Sequence, residues 1–303
     1  HNRWVPHFFV RGMSGQQERS ARGSIDYATA KFGLTLGGTL RNFGNIVAGG
    51  DQVQLTPTGY TERNFDGKFQ VYGKRGKWTF AHQNHNQFDV PIYHKVSLEN
   101  HAFYNMDLQL RSMTYLKKEW ANLMGALDKV EVVIGQQGQG EWRSFQKNGS
   151  SISRREKDSV DTRFVTLKVF GKQKKGFQYV MGIDAYVDRV FSERADWNLV
   201  TSTQKDLRAL YPNDATNNQT SAFLYATQSW KSGLLRAGLR YSGTQVRIPT
   251  VELGEYRGIT IPYAEPEVTD ADVDERIDER VRGIRAGVEQ YLTQRIDLLL
   301  LHQ

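Results

Sequence analysis

The stretch Phe177-Gln178-Tyr179-Val180-Met181-Gly182-Ile183-Asp184-Ala185-Tyr186-Val187-Asp188 decides the fold. Phe177, Tyr179, Met181, Ile183, Ala185 and Val187 take one set of alternate positions, and Gln178, Gly182, Asp184 and Asp188 fall in the other. Strand side chains point to opposite faces with a period of two, so one face is oily and the other small or charged. The pattern recurs upstream, where Phe32, Leu34, Leu36 and Leu40 alternate with Gly33, Thr35, Gly37, Thr39 and Arg41. It recurs downstream, where Leu235, Ala237, Leu239 and Tyr241 alternate with Arg236, Gly238, Arg240 and Ser242. A membrane β-barrel, with lipid outside and a wet lumen inside, has this two-sided pattern.

Working outward, about thirteen strands are expected, near 4–14, 20–29, 32–43, 60–72, 77–87, 108–119, 128–140, 160–171, 176–191, 219–230, 233–247, 281–291 and 295–302. The fold class is therefore all-β: an antiparallel up-and-down meander forming a partial transmembrane β-barrel, with 1–303 as one barrel domain. Short connections alternate with long ones at 44–59, 88–107, 141–159, 192–218 and 248–280, read as extracellular loops. Outer-membrane barrels have this asymmetry of tight turns and extended outer loops. Tyr72, Trp78, Trp120, Phe177, Trp230 and Tyr291 stand near the short turns. They suit an interfacial girdle, although cross-strand packing in a soluble sheet would use such residues too.

Composition narrows the classes. Mean hydropathy is −0.59. No apolar run approaches the roughly 20 residues of a membrane helix, but a barrel strand shows lipid only every second side chain. Absence of Cys excludes disulfides and thiolate metal sites. The net charge of +7 is scattered, without a basic helix or long basic run. It suits anionic lipid headgroups or an anionic ligand better than nucleic acid, which is not expected as a partner.

One region breaks the rhythm. Residues 264–280 are acidic, and Val273, Ile277, Val281, Ile284 and Val288 recur at helical spacing, so a helix near 269–281 is expected. Leu253-Gly254-Glu255-Tyr256-Arg257-Gly258, taken with Val268-Thr269-Asp270-Ala271-Asp272-Val273-Asp274, resembles the segment that enters the helical part of trigger factor, a likeness confined to 252–280. The segment is either a helical loop of the barrel or a foreign piece of a composite chain.

A second resemblance covers roughly 20–245. It is carried by Leu55-Thr56-Pro57-Thr58-Gly59-Tyr60, His82-Gln83, Asp89-Val90-Pro91-Ile92-Tyr93-His94-Lys95-Val96, Leu98-Glu99-Asn100, Gln109-Leu110-Arg111, Tyr115, Glu141-Trp142-Arg143 and Lys147-Asn148-Gly149. In this order they resemble TonB-dependent receptors of the outer membrane. Such barrels have about 22 strands and a plugged lumen. The resemblance implies a fragment without its plug, and partners in the plug domain, the remaining strands of the parent chain, the TonB complex and outer-membrane lipid. It further implies uptake of an iron–siderophore, haem or similar ligand.

Four histidines, His82, His85, His94 and His101, lie close in sequence. His82 and His85 are three apart and face opposite sides of a strand, so they cannot share a metal directly. Tyr93 and His94 are the pair best suited to an iron complex or haem, with His101, Trp142, Arg143 and Trp197 as further ligand-binding candidates. A loop with ordinary polar surface residues accounts for the same histidines. No resident metal or cofactor is expected. Arg41, Lys68, Lys168, Asp184, Asp188, Arg236 and Arg240 are assigned to the lumen, against a plug or a wet channel. No nucleophile elbow is present, and Gly135-Gln136-Gln137-Gly138-Gln139-Gly140 lacks the Lys-Ser/Thr of a phosphate loop, so no enzyme is expected. A passive porin-like or structural barrel, and a soluble β-sheet binding module, remain as alternatives to energised uptake.

Overall fold

A computed structural model describes residues 2–50, 53–121, 123 and 125–248, with the backbone of 255–256 and 259–260. The long strands are β1 (Arg3–Met13), β2 (Glu18–Ala28) and β3 (Phe32–Phe43). A small ladder, β4 (Ile46–Val47) and β5 (Gln54–Leu55), fills the loop before β6 (Tyr60–Gly73) and β7 (Gly76–Pro91). The single turn α1 (Tyr93–Ser97) precedes β8 (His101–Ala121), β9 (Leu127–Lys147), β10 (Ile152–Gly171) and β11 (Phe177–Asn198). Then come β12 (Thr203–Leu207), β13 (Thr216–Trp230) and β14 (Gly233–Arg247), and a two-strand ladder of β15 (Glu255–Tyr256) with β16 (Ile259–Thr260).

The long strands form one antiparallel sheet in chain order, β1-β2-β3-β6-β7-β8-β9-β10-β11-β13-β14, with β12 paired to β11. Each hydrogen-bonds to the next in sequence, as an up-and-down meander requires. The eleven strands expected between residues 4 and 247 are all present. The two expected at 281–291 and 295–302, the helix near 269–281 and Tyr291 lie outside the described residues.

Burial is inverted relative to a globular protein. Among the described residues, fourteen polar or charged side chains are buried, against two apolar ones, Ala209 and Ala215. Thr79 and Ser221 are 2% exposed, whereas Leu40 is 63% and Ile183 54% exposed. A soluble fold hides its large apolar residues. Here they stand outward in rows, and the polar face is the occluded one. A single sheet does this by curling with its polar face inward, the geometry of a partial barrel. Among the described residues the greasy side is packed against no second layer.

Along β11 the apolar row runs from Phe177 to Val187. Ten residue steps make about 33 Å of strand, or about 25 Å of height at a 40° tilt, the thickness of an outer-membrane apolar band. The band ends abruptly on β10, where outward Val165 gives way to Arg163. At the turn end, Trp78, Trp120, Phe177 and Trp230 are exposed on the apolar face, and Lys118 Nζ lies 4.8 Å from the Trp78 ring. Tyr72 departs from the expected girdle. Its hydroxyl donates to Gln70 Oε1 at 3.1 Å, on the polar face.

The expected loops shrink. The strands β8 to β11 are 20–22 residues long and run past the apolar band. The loop expected at 141–159 is strand except for the turn at 148–151, that at 88–107 reduces to 92–100 around α1, and that at 192–218 gives up both ends and contains β12. Most of 248–280 is not described. The physical reason is that above the band both faces are polar, so alternation of hydrophobicity stops while hydrogen-bonded strand continues.

Candidate functional site

Register places Arg41, Lys68, Lys168, Asp184, Asp188, Arg236 and Arg240 on the same, polar face. Several are tied to neighbours. Arg41 reaches Glu62 at 3.4 Å, and Arg240 Nη2 donates to Asp184 Oδ1 at 2.8 Å across β13. Asp188 accepts from Thr162 Oγ1 at 2.7 Å and Asn217 Nδ2 at 2.9 Å. Lys68, Lys168 and Arg236 make no ion pair among the described residues. Gly37 lets one cross-strand bond form: a Cβ there would lie 2.4 Å from Arg22 Nη2, and the open space admits the bidentate Arg22–Asp66 pair at 2.6 and 2.9 Å.

The densest polar cluster lies higher, on β9, β10 and β11. Arg143 is buried, with Nη2 3.1 Å from Glu156 and bonded to Asp158, and Nε 3.4 Å from Glu141. Ser192 Oγ donates to Asp158 and accepts from the Tyr211 backbone N–H at 3.2 Å, which ties the 208–215 segment onto the strands. Arg154 holds Asp196 with two bonds at 2.6 and 2.8 Å. Below this cluster a cleft of 590 Å³ crosses the polar face, walled by His85, Gln87, Gln109, Arg111, Gln137, Gln139 and Glu141. Its four amides, Gln87, Gln109, Gln137 and Gln139, suit hydrogen bonding to a solute or to packed polypeptide.

The six ligand-binding candidates are not brought together. Tyr93 and His94 sit in α1, and His94 Nε2 is 3.8 Å from Glu99 Oε1. His101 is buried at the start of β8, its Nδ1 3.1 Å from the Lys95 carbonyl oxygen and its ring against Tyr104 and Phe145. Trp142 faces outward under Lys157, whereas Arg143 faces inward within its acid cluster. Trp197 is exposed near the end of β11. His82 and His85 point to opposite faces; His82 Nδ1 meets Thr114 Oγ1 at 2.7 Å and His85 lines the cleft. No group of three or more metal-ligating side chains occurs among the described residues. The Lys95 hydrogen bond holds the Glu99 carboxyl below its ordinary range.

Sequence reading passed over Glu156, Asp158, Ser192 and Arg194. The signal was there: 154, 156 and 158 face 196, 194 and 192 in register, with charges at period two. It is an ion-pair rhythm, not a hydropathy rhythm.

The architecture defines a class, the wall of an outer-membrane-type β-barrel. Solved structures with this fold include the copper transporter OprC, with a TM-score of 0.66 at 14% identity over 82% of this chain and 38% of that one. The FrpB iron transporter from Neisseria meningitidis (F3-3 variant) gives 0.60 at 11% over 80% and 41%. BauA, the ferric preacinetobactin receptor from Acinetobacter baumannii, gives 0.52 at 11% over 80% and 41%. The fold thus agrees with the resemblance to TonB-dependent receptors, and these neighbours are transporters and a receptor, not enzymes. The chain spans about two fifths of their length.

A separate match joins residues 215–280 to the family Bacterial trigger factor protein (TF). The trigger factor of Solibacter usitatus (strain Ellin6076) is 50% identical over 54 residues, 18% of this chain and 12% of that protein. The family match begins earlier than the expected 252–280 and takes in β13 and β14, which nevertheless keep an unbroken register with each other and with β11.

Proposed function

We propose that this chain is part of an outer-membrane receptor that takes up a metal ion or metal chelate, such as an iron–siderophore or haem, in an energised step. The observation that carries the reading is the inverted burial: large apolar side chains outward over about 25 Å, polar and charged ones inward. Fold neighbours described as a copper transporter, an iron transporter and a ferric preacinetobactin receptor support the ligand class. The polar face, with its unpaired Lys68, Lys168 and Arg236, is the surface against which a plug would seat, and TonB would act through that plug. Ligand capture belongs to the upper rim, where α1 carries Tyr93 and His94 and the long strands carry Trp142 and Trp197.

The test is uptake by cells producing the full-length protein, using radiolabelled ferric siderophores, haem and copper. Saturable uptake of one ligand that stops on addition of a protonophore is the expected result. Uptake of many small solutes, linear in concentration and indifferent to the protonophore, would replace this reading with a passive channel. Recovery of the protein in the soluble fraction would reject both.

A further inference from the structure

On the outward face of β1, β2, β3 and β6, a groove of 740 Å³ opens at the upper edge of the apolar band. Its floor is Val10, Ala21 and Leu40, and its rim is Arg19, Asn42, Thr61 and Arg63. Register fixes the level. Arg19 pairs with Asn42, and Leu40 pairs with Arg63, ten and eight residues above Phe32, the lowest outward residue of β3. That is the height at which acyl chains give way to headgroups.

Four arginines and no acid line the groove. Arg11 and Arg41 are tied on the other face, to Glu18 at 3.0 Å and Glu62 at 3.4 Å. Arg19 has no partner among the described residues, and Arg63 lies only over the Phe88 ring, 5.4 Å from its centroid. Two exposed, uncompensated guanidinium groups therefore stand directly above an apolar floor. Guanidinium binds phosphate in a bidentate manner, and the floor accepts hydrocarbon.

From this we infer that the groove is a site for a phosphate-bearing lipid, with its phosphate on Arg19 and Arg63 and an acyl chain along Val10, Ala21 and Leu40. The inference rests on the membrane reading above, since in water the same groove would bind no acyl chain. It assigns a role to cations that neither a plug nor a transported ligand can touch, because they face away from the lumen.

The experiment folds the full-length protein into phosphatidylcholine vesicles containing a minor share of phosphatidic acid, extracts it in mild detergent and counts retained lipid by native mass spectrometry. Wild type should retain phosphatidic acid over phosphatidylcholine, and the R19Q/R63Q variant should lose about thirtyfold of that preference, as expected for two cations at an anionic headgroup. K74Q/R75Q, at the opposite end in the turn between β6 and β7, should retain it. Equal loss in both variants, or none in R19Q/R63Q, overturns the site. Inorganic phosphate should compete poorly, and full displacement by it would reduce the groove to a bare anion site and overturn the lipid assignment. Insertion is scored separately, by the heat-sensitive gel mobility of folded barrels. Insertion with unchanged lipid retention sinks this inference alone, whereas failure to insert sinks the membrane reading and this inference with it.

Discussion

The lower half of the sheet and its upper extension are built from the same strands by different rules. Below Arg163, β10 presents Val165, Leu167 and Val169 outward and Thr166 and Lys168 inward. Above it, Arg155, Lys157 and Asp161 face outward while Glu156 and Asp158 face inward around Arg143. On the proposed membrane reading the lower half is held in place by its surroundings, since hydrocarbon rewards an exposed Ile183 and water does not. The upper half is held by its own ion pairs. An environment therefore specifies one region and internal charge complementarity the other.

Substitutions can break or sharpen this contrast. The largest effect is expected at Arg143→Met, which leaves Glu156 and Asp158 side by side on β10 in a buried site without the cation they share. Removing one member of such a cluster costs about 3–5 kcal/mol. Urea titration of the full-length protein in detergent and in lipid should report the same loss in both, because the cluster stands above the band. Ile183→Lys should cost about 2–4 kcal/mol in lipid vesicles. Asp184→Lys, on the polar face, should cost far less in the same vesicles, and equal losses from the two substitutions would erase the contrast. Asp184→Asn keeps the shape and weakens one bond to the half-exposed Arg240, so a loss of about 1 kcal/mol is expected, similar in both media. The smallest effect belongs to the exposed turn α1. Because the Glu99 carboxyl is held below its ordinary range by Lys95, its contribution is present at neutral pH and above the usual carboxylate pKa. It fades only as the pH falls through the lowered value. Protection factors of the amides at 95–98, corrected for the intrinsic pH dependence of exchange, should fall on acidification, and those of E99Q should be alike at both pH values.

The contrast also explains what was legible in the sequence. Strands such as 32–43 and 233–247 announced themselves because positions 32, 34, 36 and 40, and 235, 237, 239 and 241, are apolar and share one face, and their observed bounds, Phe32–Phe43 and Gly233–Arg247, agree. The stretch 141–159 did not, because Glu141, Arg143, Glu156 and Asp158 on one face and Arg155 and Lys157 on the other give no hydropathy period. Register alone reveals that these charges meet. The facing of Asp184 and Arg240 could be read from alternation, but their mutual bond across β13 could not. Tyr93 and His94 were chosen by residue type, and type does not tell that His94 leans toward Glu99 or that His101 is enclosed by Tyr104 and Phe145.

The turn at 148–151 caps two strands of 20 and 21 residues with only four residues of slack. A protease needs an extended, yielding segment to thread its cleft, and this hairpin offers almost none. The tip that reaches furthest from the band on β9 and β10 should therefore resist digestion from that side. Cleavage should instead begin in 208–215, where eight residues separate β12 from β13.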